Sequence, residues 1–257
     1  MIDIHTHILH SIDDGSQDIE TSITHLKLMQ EYGVKAVFVT PHFMLQYYDF
    51  DQQLVLDKIA ELQKAAEKEN INIKIIPGRE IYLDSSLFEK LKSGKMNMGN
   101  SNYILVETNM TNFPADLNQH LYDLVRSGLK PIMAHPERYT NIINDPDSAE
   151  DLLHKNVLLQ INAGSLIGIY GKNVQKAAWF LVDNGLAHFV ASDNHCKELD
   201  YTLPAAVEML KQKIDEHTAE LLTEINPRKI IDNEPITYFY LEKVVTKKKG
   251  FFSKLFS

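Results

Sequence analysis

Seven short apolar runs, six of them with an acid or an imidazole at or just beyond the end, constrain this 257-residue chain more than any other feature. The runs lie at 2–5, 35–40, 73–77, 103–107, 130–134, 157–161 and 188–192. Between most of them lie amphipathic stretches with helical spacing, at 19–32, 51–69, 84–94, 116–127, 147–155 and 172–184. Nearly continuous apolar strands alternating with helices predict a parallel sheet covered by helices. Ligands bind such folds at the C-terminal ends of the strands. An open sheet gathers its site at one switch point, whereas here the chemical residues follow six of the seven runs. That distribution predicts a ring, a distorted (β/α)7 TIM-like barrel.

The residues at those ends are His5-Thr6-His7, Thr40-Pro41-His42, Gly78-Arg79-Glu80, Glu107, His135-Pro136-Glu137-Arg138 and Asp193-Asn194-His195. Residues two apart on a strand point the same way, so each H-x-H or D-x-H pair aims both side chains into one space. Imidazole nitrogen mixed with carboxylate oxygen suits borderline-hard divalent cations. Four carboxylates crowded on one rim would repel each other without cations between them. The pattern predicts a multinuclear metal site. Among the other histidines, His25, His120, His154 and His217 fall in helical patterns and read as surface residues. His10 lies in the first loop, and His188 opens a strand at the end away from the site.

Bulk properties narrow the partners. A net charge of −9 argues against nonspecific nucleic-acid binding. No apolar run approaches the ~18–20 residues that span a bilayer, and no basic-then-apolar leader precedes the first motif. The single cysteine, Cys196, excludes an intramolecular disulfide and fits a cytoplasmic setting. A cysteine-based phosphatase needs arginine six residues after its thiolate; position 202 is Thr202, so that mechanism is excluded.

The ordered series H-x-H, Asp-Gly, T-P-H, G-x-E, H-P-E-R-Y and S-D-x-H resembles the PHP (polymerase and histidinol phosphatase) superfamily. More narrowly, it is similar to the CpsB-like tyrosine phosphatases of capsule and exopolysaccharide synthesis. The resemblance runs from Ile2 to about Asn226. It implies three divalent cations, commonly manganese, with iron, cobalt or zinc also compatible with the ligand types. Carried over by position, His5, His7, Glu80 and Asp193 hold the first. Glu80 bridges to a second, completed by Glu107 and His135, and Asp14, His42 and His195 hold the third. Asp13 is the alternative to Asp14.

Three such cations outweigh four carboxylates and leave positive charge for a phosphate dianion. Arg138, three residues after His135, is the candidate phosphate contact, with Arg79 a weaker second. The implied activity is metal-dependent hydrolysis of phosphotyrosine, on a bacterial tyrosine kinase that governs polysaccharide export. A histidinol-phosphatase-like monoesterase and a non-catalytic metal-stabilised scaffold are the rival readings.

Two segments invite substrate or partner roles. The aromatic stretch 43–50 after His42 is read either as a wall for a phosphotyrosine ring or as a hydrophobic lid. The barrel is expected over residues 1–242, followed by a basic and aromatic tail at 243–257. Lys247-Lys248-Lys249 beside Phe251, Phe252, Leu255 and Phe256 reads as a peripheral membrane contact, a solvated tail, or a contact within a homo-oligomer.

Overall fold

The computed structural model describes residues 1–84 and 96–237. The predicted helix at 84–94 and the tail at 243–257 therefore lie outside the described residues, Asp84 apart. Parallel strands alternate with helices, as the apolar periodicity requires. The strands are β1 (Ile2–Thr6), β2 (Ala36–Val39), β3 (His42–Phe43), β4 (Lys74–Pro77), β5 (Glu80–Tyr82), β6 (Tyr103–Glu107), β7 (Lys130–Ala134), β8 (Leu158–Asn162) and β9 (Phe189–Ala191). The helices include α1 (Ile19–Glu31), α2 (Gln52–Lys68), α3 (Leu117–Arg126), the short α4 (Ala163–Ile167), α5 (Lys172–Asp183) and α6 (Leu203–Lys213). The Asp18 carboxylate caps α1 by accepting from the Thr21 amide, and Asp51 does the same for α2 through the Gln53 amide.

The strands form two parallel sheets rather than one closed ring. One has the order β1-β2-β4 and the other β3-β5-β6-β7-β8-β9. Two of the predicted strands are each split between the sheets. The second run passes from β2 to β3 through Thr40-Pro41, and the third from β4 to β5 through Gly78-Arg79. Pro41 has no amide hydrogen to donate, so the ladder lapses there. At the other seam, Asp193 donates its amide to the His5 carbonyl and His7 donates to the Asn194 carbonyl, each at 2.9 Å. Within the described residues the ladder is not continuous around a barrel.

Side-chain alternation divides the interior in two. Ile2, Ile4, Ala36, Phe38, Ile76, Leu105, Ile132, Ala134, Leu158, Phe189 and Ala191 pack with one another on the inner side. The intervening residues, including Val37, Val39, Ile75, Ile104, Val106, Met133, Leu159, Ile161 and Val190, pack outward against α1–α6. Stepping by two along each strand leads from the inner core to the site: Phe38 to Thr40 to His42, Ile76 to Gly78 to Glu80, Leu105 to Glu107, Ala191 to Asp193. In β1 the register shifts between Asp3 and Thr6, which lets His5 and His7 join the same side as Ile2 and Ile4.

Beyond β9, Asn226 does not cap a helix as its Asn-Pro pattern suggests. It lies within a helix that continues from the preceding turn, and its amide donates to the His188 carbonyl at 2.9 Å. His25 and His120, expected on the surface, are buried. The His25 ring faces the Asn194 side chain at 3.1 Å and so supports the loop that carries Asp193.

A buried carboxylate fastens the first strand to the last. Asp3 accepts from the Ser192 amide at 3.0 Å, the His5 amide at 3.4 Å and the Tyr201 hydroxyl at 3.0 Å. Burial nevertheless pushes its carboxyl pKa upward. Replacing Tyr201 with phenylalanine leaves one oxygen of Asp3 without its donor. Y201F is expected to lose about 1–3 kcal/mol of stability, read by urea denaturation with unchanged m-value.

Candidate metal centre

Three groups of donors converge at the C-terminal ends of the strands: His5, His7, Glu80 and Asp193; His42, Glu80 and Glu107; and His7, Asp14, His42 and His195. Within each group, one donor atom per residue lies within 4.8 Å of all the others. Nε2 of His5 and Nε2 of His7 face each other at 3.2 Å, and each stands 3.1 Å from Oε2 of Glu80 and 3.4 Å from Oδ1 of Asp193. Nδ1 of His42 lies 3.1 Å from both Glu80 and Glu107. Nε2 of His135 lies 2.9 Å from Oε1 of Glu80 and 3.9 Å from Glu107. Oδ1 of Asp14 approaches His195 at 3.4 Å and His42 at 3.6 Å. Eight of the nine candidate ligands fall in these groups; His135 belongs to none of them and meets the cluster through Glu80, while His42 stands in the group with Glu80 and Glu107 where the resemblance placed His135.

The acid next to Asp14 has a different task. Asp13 accepts from the His42 and Gly15 amides and pairs with Nδ1 of His7 at 2.7 Å. It turns the other His7 nitrogen toward the cluster, the usual arrangement behind a metal-ligating histidine. Gly15 permits that loop: a Cβ there would fall 2.0 Å from the His7 carbonyl oxygen. His5 is oriented in the same way by Gln160, whose Oε1 lies 2.8 Å from its Nδ1. Asn162, two residues on, donates to Asp193 at 2.6 Å. Neither amide figures among the candidate site residues read from sequence. Two polar side chains at alternate positions of an otherwise apolar strand are the signal that would have found them.

Two donors sit on strained backbone. His135 has φ 37° and Asp193 φ 54°, in the left-handed region where side chains other than glycine are uncommon. Such strain persists only where the surroundings enforce it, and it clusters at functional sites.

The donor set fits divalent cations on its own chemistry. Oε2 of Glu80 and Oδ1 of Asp193 are buried without a hydrogen-bond donor. Buried carboxylate oxygens of that kind call for positive charge. Burial opposes ionisation of both, yet the neighbouring imidazoles hold the Glu80 and Asp193 carboxyls well below the usual range. Burial would likewise depress the His42 imidazolium, but the Glu107 and Glu80 carboxylates raise it to about 10.

Arg138 stands at the edge of the cluster, donating to Oδ2 of Asp193 at 3.2 Å, with the Tyr170 ring 4.6 Å from its guanidinium carbon. Arg79, the second candidate, does not reach the site. It points the opposite way from Glu80 along the strand, donating to the Phe50 carbonyl and Gln52 and facing the Phe43 ring. Burial there lowers its guanidinium to about 10. Cys196 is equally remote from nucleophilic chemistry, since burial lifts its thiol to about 12. In the stretch 43–50, Phe43 is buried and Tyr48 stacks on the His42 ring at 5.6 Å.

Above the donors opens a cavity of about 550 Å³, lined by Asp14, His42, Glu80, Glu107, His135, Asp193 and His195 and rimmed by Arg138, Tyr170 and Lys197. A buried His, Asp and Glu cluster on the C-terminal rim of parallel sheets defines a metal-site α/β protein. Residues 1–232 match the family described as capsular polysaccharide synthesis, CpsB/CapC, and the chain belongs to that family. The tyrosine-protein phosphatase YwqE of Bacillus subtilis is 33% identical over 238 residues, covering 92% of this chain and 93% of its own. The tyrosine-protein phosphatase CpsB of Streptococcus pneumoniae is 28% identical over 92% of this chain and the whole of its own.

One solved structure, described with YwqE and CpsB as metal-dependent tyrosine phosphatases, superposes with TM-score 0.87 at 32% identity. It covers 92% of this chain and 96% of that one. A histidinol phosphate phosphatase from Lactococcus lactis shares the fold alone, at TM-score 0.54 and 13% identity over 87% of this chain and 96% of that one.

Adding manganese to chelator-treated protein is expected to raise its unfolding free energy by about 4 kcal/mol at a thousandfold excess over Kd. Glu80→Gln, which alters a residue common to two donor groups, is expected to remove most of that gain in a calorimetric melt.

Proposed function

We propose that this chain is a metal-dependent tyrosine phosphatase that hydrolyses phosphotyrosine on protein substrates. The observation that carries the reading is the joint one: three donor groups under a single open cavity, with Arg138 beside them, in a chain of the CpsB/CapC family. The relatives named tyrosine-protein phosphatases support the substrate class. We read the two sheets as one distorted (β/α)7 barrel of the PHP type.

His5, His7, Glu80 and Asp193 would hold the first cation, Glu80, Glu107 and His135 the second, and Asp14, His42 and His195 the third, with manganese the expected metal. Held there, divalent cations would supply an acidified water as nucleophile and positive charge against the phosphoryl oxygens. The chain's own contribution is orientation. Gln160 and Asp13 fix the His5 and His7 rings, and Asn162 fixes the Asp193 carboxylate. Arg138 has several guanidinium N–H groups beyond the one given to Asp193, and its side chain is 25% exposed at the cavity. Those donors suit two phosphoryl oxygens at once. The leaving tyrosinate is the base of an acid with pKa ~10, and no general acid is assigned.

The expected physiological substrate is a bacterial tyrosine kinase of polysaccharide export, met in the cytoplasm. No described helix is long and apolar enough to cross a membrane. The proposed contact with a membrane surface or another copy of the chain rests on 243–257, outside the described residues.

The test joins metal analysis to turnover. Hydrolysis of a phosphotyrosyl peptide is expected to vanish on chelation and return with manganese. Arg138→Ala is expected to lower kcat/KM about 10²–10³-fold, the scale of removing one oxyanion donor. A chelated, metal-free protein that keeps full activity would overturn the reading.

A further inference from the structure

The cavity over the donors is not polar throughout. Its floor consists of the carboxylates and imidazoles, but one wall is built from Met110, Ile169 and Tyr170. Met110 follows β6, and Ile169 and Tyr170 follow α4, so the wall assembles from two separate strand-end loops. Ile169 is 54% exposed and Tyr170 is 38% exposed. Large apolar side chains displayed together at a cavity mouth mark a binding surface more often than chance.

The display is built into the backbone. Ile169 and Tyr170 occupy a short turn between Gly168 and Gly171, both with φ 92°, a conformation that side-chain-bearing residues rarely adopt. The Tyr170 ring lies against the first turn of α4, where a Cβ at Gly164 would fall 3.0 Å from Cε2 of the ring. Its face covers the Arg138 guanidinium at 4.6 Å, a cation–π distance. The apolar wall therefore begins where the phosphate-contacting group ends. The substituent of a phosphate ester bound beside Arg138 would have this apolar lining within reach.

We infer that Met110, Ile169 and Tyr170 form the subsite for the aromatic ring of the substrate and set the preference for aryl over alkyl phosphate esters. The inference rests on the phosphatase reading and adds the residues that read the leaving group. An aromatic ring buries its faces against such a wall at little conformational cost, whereas the short chain of phosphoserine cannot reach across it. The stretch 43–50, the sequence candidate for this role, supplies none of the described lining residues, whereas His42 just before it does. Its ring at position 48 is already occupied in stacking on that histidine.

The experiment compares manganese-loaded wild type, Ile169→Ala, Ile169→Leu and Tyr170→Leu on matched phosphotyrosyl and phosphoseryl peptides. It also measures calorimetric binding of phenylphosphonate against methylphosphonate. Ile169 is largely solvent-exposed, so its replacement does not threaten folding. The ratio of kcat/KM for aryl over alkyl ester is expected to fall about tenfold in Ile169→Ala and Tyr170→Leu, the scale on which one hydrophobic contact discriminates. The preference for phenylphosphonate is expected to fall in parallel, and Ile169→Leu is expected to restore most of both. Ratios equal to wild type in both Ile169→Ala and Tyr170→Leu would overturn the subsite while leaving the phosphatase intact. A wild type that hydrolyses neither peptide would instead overturn the phosphatase reading, and the subsite with it.

Discussion

The structure depends on how it accommodates a knot of like charge. Glu80 is buried, with its Oε2 within 3.1 Å of nitrogens on His5, His7 and His42, and Asp193 and Glu107 contact the same histidines. Carboxylates cannot be packed at that density in a low-dielectric interior unless cationic charge is interleaved with them. Imidazoles from strands far apart in sequence are the means by which the fold does so. In the proposed site the same imidazoles would exchange protons for divalent cations. One electrostatic requirement therefore ties the folding of the rim to its chemistry.

Alternation explains why the requirement can be met. The inner core and the donor cluster lie on the same side of the strands, at successive steps of two. Ile76 and Glu80, or Ala191 and Asp193, are one continuous row in which apolar residues give way to ionisable ones at the open end. The packed lower layer holds the rows in register, and the strained conformations of His135 and Asp193 make the final adjustment. Behind the donors, Asp13, Gln160 and Asn162 hold His7, His5 and one oxygen of Asp193, which restricts the rotamers open to those side chains.

Much of this is legible in the residues alone because strand periodicity and donor chemistry are local signals. The H-x-H and D-x-H pairs, the Asp-Gly turn and the strand-end acids all state their position and direction without long-range information. Division of the strands between two sheets is not local: it arises where Pro41 interrupts a ladder that the run 35–40 otherwise suggests is whole. Arg79 and Arg138 also look alike in sequence, each close to a candidate ligand. What separates them is strand phase, since Arg79 falls one step from Glu80 and turns into the helical layer, whereas Arg138 follows a short turn that returns it to the rim. The buried role of His25 escaped a helical-face reading because helix α1 packs against the loop after β9, a contact invisible in spacing.

The bond between Asp3 and Ser192 joins positions 189 residues apart, and the donors of His5 and Asp193 meet beside it. In the proposed site, His5 and His7 must therefore wait for β9 and the loop after it before their donor group is complete. A fragment that stops short of β9 carries His5, His7 and Glu80 but lacks Asp193, the fourth member of their group. Selective loading of the proposed site would thereby be postponed to the finished fold, making ion capture a late event in its maturation rather than a seed for it.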